Sequence, residues 1–184
     1  WNGKCEFGDG AGVENPAGIT SFGKIAVKKM NDLDIIIDVS HASDPLFYDI
    51  AQLTRKPIVA SHSNSRTVCG HKRNLTDEQF KIIKSQGGLV GINFSRDFLN
   101  KKKEASMYDI IRHAEYFLGL GGEDTVCLGS DFDGTDIPED MTGIESMEQL
   151  YNLFLRQNYS QSLVNNIFFN NAYKFFMGGY KKVI

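Results

Sequence analysis

The sequence predicts an α/β fold built on parallel strands, the C-terminal half of a (β/α)8 TIM-like barrel, on three observations. Short β-branched apolar runs alternate with amphipathic helical segments along the 184 residues. The links between them are short, as βα units require. Each apolar run ends in a polar cluster, and in a parallel barrel such strand ends converge on one face. A doubly wound open sheet also fits the alternation, but it gathers strand ends only near its switch point. Four clusters in succession favour the barrel. Four strands are half of one, so residues 1–184 read as a single partial domain.

The elements follow in order. Residues 1–19 are rich in Gly and Asn and read as a loop that continues from an earlier part of a longer chain. Thr20 to Leu33 places Phe22, Ile25, Ala26, Val27 and Met30 among lysines, an amphipathic helix. Ile35 to Ser40 is continuously apolar up to Asp38, as in a strand buried on both faces. Ser43-Asp44-Pro45 opens a helix to about Thr54, with Ser as N-cap and Pro in the first turn. Pro57 to Ser61 is the second strand. Thr76-Asp77-Glu78-Gln79 is a capping box that opens a helix to about Ser85. Gly88 to Phe94 is the third strand, and Ser106 to Leu118 a helix closed by Gly119, Gly121 and Gly122. Val126 to Ser130 is the fourth strand, and two or three helices fill the tail from Ser146 to Phe176.

Composition narrows the function. A formal net charge of -3 without a Lys/Arg stripe argues against nucleic acid. Lys101-Lys102-Lys103 runs straight into Glu104 and reads as a solvated helix entry. Cys5, Cys69 and Cys127 are widely spaced with no CxxC, so neither a disulfide framework nor a zinc ribbon is expected. They read as buried or inert thiols in a reducing compartment, which makes a cytoplasmic location the expectation. No apolar run approaches the ~20 residues of a transmembrane segment. The phosphate-loop, dinucleotide, serine-hydrolase and HExxH signatures are all missing.

The strand-end clusters carry the chemistry. They are Asp38-Val39-Ser40-His41, Ser61-His62-Ser63-Asn64, Asn93-Phe94-Ser95-Arg96-Asp97 and Gly129-Ser130-Asp131-Phe132-Asp133-Gly134. Two histidines at adjacent strand ends suit a metal site, because neutral imidazole is a preferred zinc ligand. A pair of hydrogen-bonded, half-buried histidines is the alternative. Asp131 ends a buried strand, where a carboxylate needs a metal, a proton-transfer role or a capping role. Asp133 and Asp136 read as turn formers. Arg73 either forks onto a carboxylate or lies on the surface. His71 and His113 read as non-ligands, His113 on the outer face of its helix.

Together these residues resemble the membrane dipeptidase (renal dipeptidase, peptidase M19) family. Ile36-Ile37-Asp38-Val39-Ser40-His41-Ala42-Ser43, Ser61-His62-Ser63, Val68-Cys69, Arg73-Asn74-Leu75 with Asp77, Gly91-Ile92-Asn93-Phe94 and Gly129 to Gly134 carry the resemblance, in order and spacing, over residues 1 to 178. It implies a distorted (β/α)8 barrel of the metallo-dependent hydrolase type, two zinc ions per complete site and a dipeptide substrate, in some members with a D-residue on the C-terminal side. It implies that His41 and His62 ligate one zinc. Arg73 would bind the substrate carboxylate, and Asp131 would contact the substrate and handle the proton of the attacking water or leaving amine.

The family's HxD pair and bridging glutamate have no counterpart in this sequence, and Trp1 stands at its substrate-binding histidine. Two of five expected ligands are therefore present, and the fragment is expected to be inactive alone. Deaminase- or phosphotriesterase-like barrel hydrolases do not combine Arg73-Asn74 with the Gly129–Gly134 motif; a non-catalytic homologue is the other alternative. Half a barrel would leave apolar surface uncovered, so a homo-oligomer or poor stability is expected.

Overall fold

The computed structural model describes residues 2–102 and 104–178. Trp1 and Lys103 therefore lie outside the described residues. Helix α1 (Ser21–Asp32) starts where Thr20 Oγ1 accepts from the amide of Gly23. Helix α2 (Asp44–Leu53) starts where the hydroxyl of Ser43 accepts from Leu46 N. Helix α3 (Asp77–Ser85) carries the full capping box, with Gln79 accepting back from Thr76 N.

Strands β1 (Val59–Ala60), β2 (Leu89–Asn93) and β3 (Val126–Ser130) form one parallel sheet in sequence order. Between β2 and β3 stand α4 (Arg96–Leu99), which the sequence did not announce, and α5 (Met107–Gly119). A 3-10 turn at Ile144–Ser146 leads into α6 (Met147–Arg156). Helix α7 (Gln161–Asn165) continues through a π-helical turn, Asn166–Asn170, into α8 (Asn171–Met177).

The segment expected as the first strand departs from expectation. Residues 35–40 form no strand, only one parallel bridge from Asp38 to Val59. Val39 N donates to Val59 O and Val59 N to Ile37 O. The ladder stops because the Asp38 carboxylate replaces a backbone acceptor, taking the amides of Ser40 and Ser61. Nor is the segment buried on both faces: Ile37 and Val39 are buried, whereas Ile35 is 46% exposed.

Helices cover one face of the sheet. Ile58, Ala60, Val90, Ile92 and Val126 pack there against Phe47, Phe80, Ile110 and Phe117. Phe80 and Phe117 stack with centroids 4.2 Å apart, and truncating either to Ala is worth about 3–5 kcal/mol. The opposite, inner face carries Val59, Leu89 and Cys127, covered at its base by Ile36, Ala172 and Phe175. The Asn171 amide fixes α8 there by donating to Glu123 O and Val126 O at 2.8 Å each. The strand ends beyond this layer are open, and the polar clusters sit on them.

Candidate metal centre

His41 and His62 converge. Their Nε2 atoms are 2.9 Å apart. Both rings are half-buried, and each is fixed from behind. Nδ1 of His41 meets Asn2 Oδ1 at 2.9 Å. The loop bearing Asn2 is docked by Ala11 N on His41 O and Gly12 N on Asn2 O. Nδ1 of His62 meets Ser61 Oγ at 2.7 Å.

The Ser61 hydroxyl gives its hydrogen to Asp38 Oδ2, so toward His62 it accepts. Both imidazoles thus carry hydrogen on Nδ1, and two Nε2 lone pairs face each other. Burial, then Arg73, push His41 down to about 4. Burial also lowers His62, with Asp38 opposing. The rings are therefore neutral at physiological pH, and two such facing nitrogens can hold a cation between them.

A tetrahedral metal with nitrogen bonds of 2.0–2.1 Å holds two ligand nitrogens about 3.3 Å apart, so the rings need part by only a few tenths of an ångström. The pair fits half of such a ligand set. Among the described residues no third His, Cys, Asp or Glu completes a group that could hold a metal.

Glycine explains how His62 reaches this place. Ser61 and His62 turn across the inner face of the sheet over Gly91 and Gly129. A Cβ on Gly91 would stand 2.0 Å from Ser61 O, and one on Gly129 1.9 Å. No other residue leaves that passage open.

Asp131 is aimed by a distortion. The register between β2 and β3 slips between Ile92 and Asn93, which pair with Leu128 and Ser130. Ser130 and Asp131 then adopt φ of 33° and 67°, left-handed values uncommon outside glycine. Asn93 holds the result: its Nδ2 donates to Asp131 Oδ2 at 3.0 Å and to His62 O at 3.3 Å. Asn93 is itself fixed by Asn64, through amide bonds of 2.9 Å in both directions.

Arg73 is no surface residue: it is 5% exposed. Its Nη1 donates to Ser40 O and its Nη2 approaches His41 Nε2 at 3.3 Å. Its guanidinium lies over Phe98, and its Nε is buried without a hydrogen-bond partner among the described residues. Burial lowers its pKa, with Asp131 and then Asp38 opposing.

His113, read as facing outward, is fully buried. It accepts from Ser65 N at 3.1 Å and meets Leu99 O at 2.9 Å, which ties α5 to the loop bearing Ser65 and to the end of α4. His71 stacks on Phe98 and stands outside the pair. Cys69 and Cys127 are buried as expected, but Cys5 is exposed.

Sequence reasoning assigned no role to Asn2 or Asn93. A buried Asn at the third strand end was a readable signal; Asn2, in a loop, offered none.

The fold has counterparts in known proteins. An uncharacterized protein encoded in the pqqA 5' region of Klebsiella pneumoniae is 35% identical over 181 residues, covering 93% of this chain and 67% of that protein. The crystal structure of a dipeptidase described as a metallo peptidase of family M19 superimposes with a TM-score of 0.88 at 32% identity, over 94% of this chain and 54% of that one. A metallo peptidase from Rhodobacter sphaeroides, liganded with a phosphinate mimic of the dipeptide L-Ala-D-Ala, gives the same TM-score and identity over 94% of this chain and 52% of its own. The chain thus spans about half the length of these solved structures, and its α/β fold is half of their barrel. Residues 1–178 match the family model for membrane dipeptidase, peptidase family M19, and the chain belongs to that family.

Proposed function

We propose that this chain carries the C-terminal half of a zinc-dependent dipeptidase, in which His41 and His62 ligate one of two zinc ions. The observation behind the reading is the pair of Nε2 lone pairs facing each other at 2.9 Å in a chain of this family. The dipeptide mimic bound to the Rhodobacter sphaeroides relative supports dipeptides as the substrate class. Zinc, when bound, supplies a more acidic water and polarises the scissile carbonyl.

The chain's own residues do the rest. Arg73 binds the substrate carboxylate, for which it offers a buried guanidinium whose Nε has no hydrogen-bond partner among the described residues. Asp131, oriented by Asn93, takes the proton of the attacking water as its oxygen adds to the carbonyl carbon. The same carboxyl returns that proton to the amine nitrogen as the C–N bond breaks. The remaining ligands come from outside the described residues, so the 184-residue chain alone is inactive in this reading.

Elemental analysis of the purified protein tests it. In the full-length protein, which carries the remaining ligands, two zinc ions per chain are expected, and one of them is expected to be lost in His41→Ala and in His62→Ala. Unchanged zinc in both variants would sink the ligand assignment.

A further inference from the structure

Behind the two histidines lies one carboxylate that grips both strand ends. Asp38 Oδ1 accepts from Ser40 N at 2.9 Å, Ser40 Oγ at 2.7 Å and Ser61 N at 3.1 Å. Asp38 Oδ2 accepts from Ser61 Oγ, which in turn faces His62 Nδ1 at 2.7 Å. Ser40 Oγ also accepts the amide of His62 at 3.1 Å. The segment bearing His41 and the segment bearing His62 are thus spaced by a single side chain.

The direction of these bonds is forced. A carboxylate only accepts, so the Ser61 hydroxyl must donate to it. Having spent its one hydrogen, that hydroxyl can only accept from the imidazole. The hydrogen of His62 is therefore kept on Nδ1, away from the nitrogen that faces His41. Outer partners of ligand histidines act in this way and set ligand orientation and basicity.

We propose that Asp38 and Ser61 are positioning residues of the metal centre, a carboxylate–hydroxyl–imidazole relay that holds the lone pair of His62 on Nε2 and spaces it against His41. The proposal rests on the reading of His62 as a zinc ligand.

Asp38→Asn is the sharpest test, because it keeps the shape and reverses one bond. The amide oxygen stays with the three donors now on Oδ1, which turns the amide NH2 toward Ser61 Oγ. The Ser61 hydroxyl must then donate to His62 Nδ1, and the ring hydrogen moves to Nε2. Replacing the aspartate behind a catalytic histidine by asparagine imposes the wrong tautomer in the same way in serine proteases.

Two readouts are taken on the full-length protein that supplies the remaining ligands. Long-range 1H–15N correlation of the metal-free protein reports which imidazole nitrogen carries hydrogen. Competition with a chromophoric chelator reports zinc affinity. The parent is expected to show His62 with hydrogen on Nδ1. Asp38→Asn is expected to move it to Nε2 and to weaken zinc binding by about 10- to 100-fold. Ser61→Ala is expected to mix the two tautomers with a smaller loss, and Ser61→Thr to restore both readouts.

Weakened binding in Asp38→Asn with His62 still protonated on Nδ1 would overturn the relay, since it would report only a lost charge. Unchanged affinity in both Asp38→Asn and Ser61→Ala would overturn it as well. Unchanged zinc affinity in His62→Ala would strike the ligand reading instead, and the metal-free spectra would still decide whether the relay sets the tautomer.

Discussion

Arg73 shows what a single residue gains from its surroundings. In sequence it is one basic residue among His71, Lys72 and Asn74. In the fold it lies over Phe98, reaches back across 33 residues to Ser40 O, and feels the carboxylates of Asp131 and Asp38. None of these partners is local, so its burial could not be read from the chain. The strand-end histidines and Asp131 could be, because a polar residue closing a buried apolar run is a local signal. Under the dipeptidase reading, Arg73→Lys keeps the charge and loses the fork. In the full-length enzyme we expect KM for a dipeptide to rise about 10- to 100-fold with kcat little changed, as loss of one charged hydrogen bond of ~1.5–3 kcal/mol implies. A dipeptide amide, lacking the carboxylate, is expected to be equally poor for the parent and the variant. An equal loss on the acid and the amide would count against Arg73 as the carboxylate's partner.

At the scale of elements, helices were more legible than strands for a physical reason. Caps are short-range: Ser43 and the Thr76–Gln79 box each act within three residues and open their helices as read, and Thr20, read as the first helical residue, acts as a cap in the same way. Strand extent depends on a neighbour, and the first apolar run fell to a single bridge because a side chain took the acceptor's place. Helix α4 has only four residues, too few for a periodic signal. The bulge that aims Asp131 exists only in the pairing of β2 with β3. Two outcomes belong to this scale. Gly129→Ala puts a methyl group 1.9 Å from Ser61 O, a clash with backbone that no rotamer relieves. We expect a loss of about 3 kcal/mol or more in urea unfolding, against well under 1 kcal/mol for Gly119→Ala, where nothing lies within 4 Å. The second concerns acid. Burial pushes His113 down to about 4 from an ordinary 6.5. Between those values the unfolded chain binds the proton and the folded chain does not, so stability is present above pH 6.5 and is lost as pH falls through 4. For this fully buried ring the loss is about 3 kcal/mol. His113→Gln removes the titration, so its unfolding free energy should change less than the parent's between pH 7 and pH 4.5. Parallel pH curves for the two proteins would contradict this.

At the scale of the whole molecule, the chain is a parallel sheet with most of its helices on one face and, on the other, α8 at the base with an open site above it. Parallel sheets are ordinarily covered on both faces, because their strands are apolar on both. Here cover on the inner face comes from Ala172 and Phe175 at the base, while Asp38 and Ser61 stand exposed above. Along α8 and the turn before it, Phe169, Tyr173, Phe176 and Met177 repeat at helical spacing and are 50–69% exposed. Ile35 is exposed at the sheet edge and Phe22 and Ile25 on α1, so apolar surface faces water on both flanks. Such surface favours association, since its burial is worth about 25 cal/mol per Å². We therefore expect the isolated 184-residue chain to self-associate with a concentration dependence visible in sedimentation velocity. Phe169→Glu with Phe176→Glu places charge within the α8 stripe, away from the buried Asn171 that anchors the helix. That double variant should shift the distribution toward monomer while leaving the circular dichroism unchanged. A parent that sediments as a single monomer across a hundredfold range of concentration, with a cooperative melt, would show that the open face needs no cover.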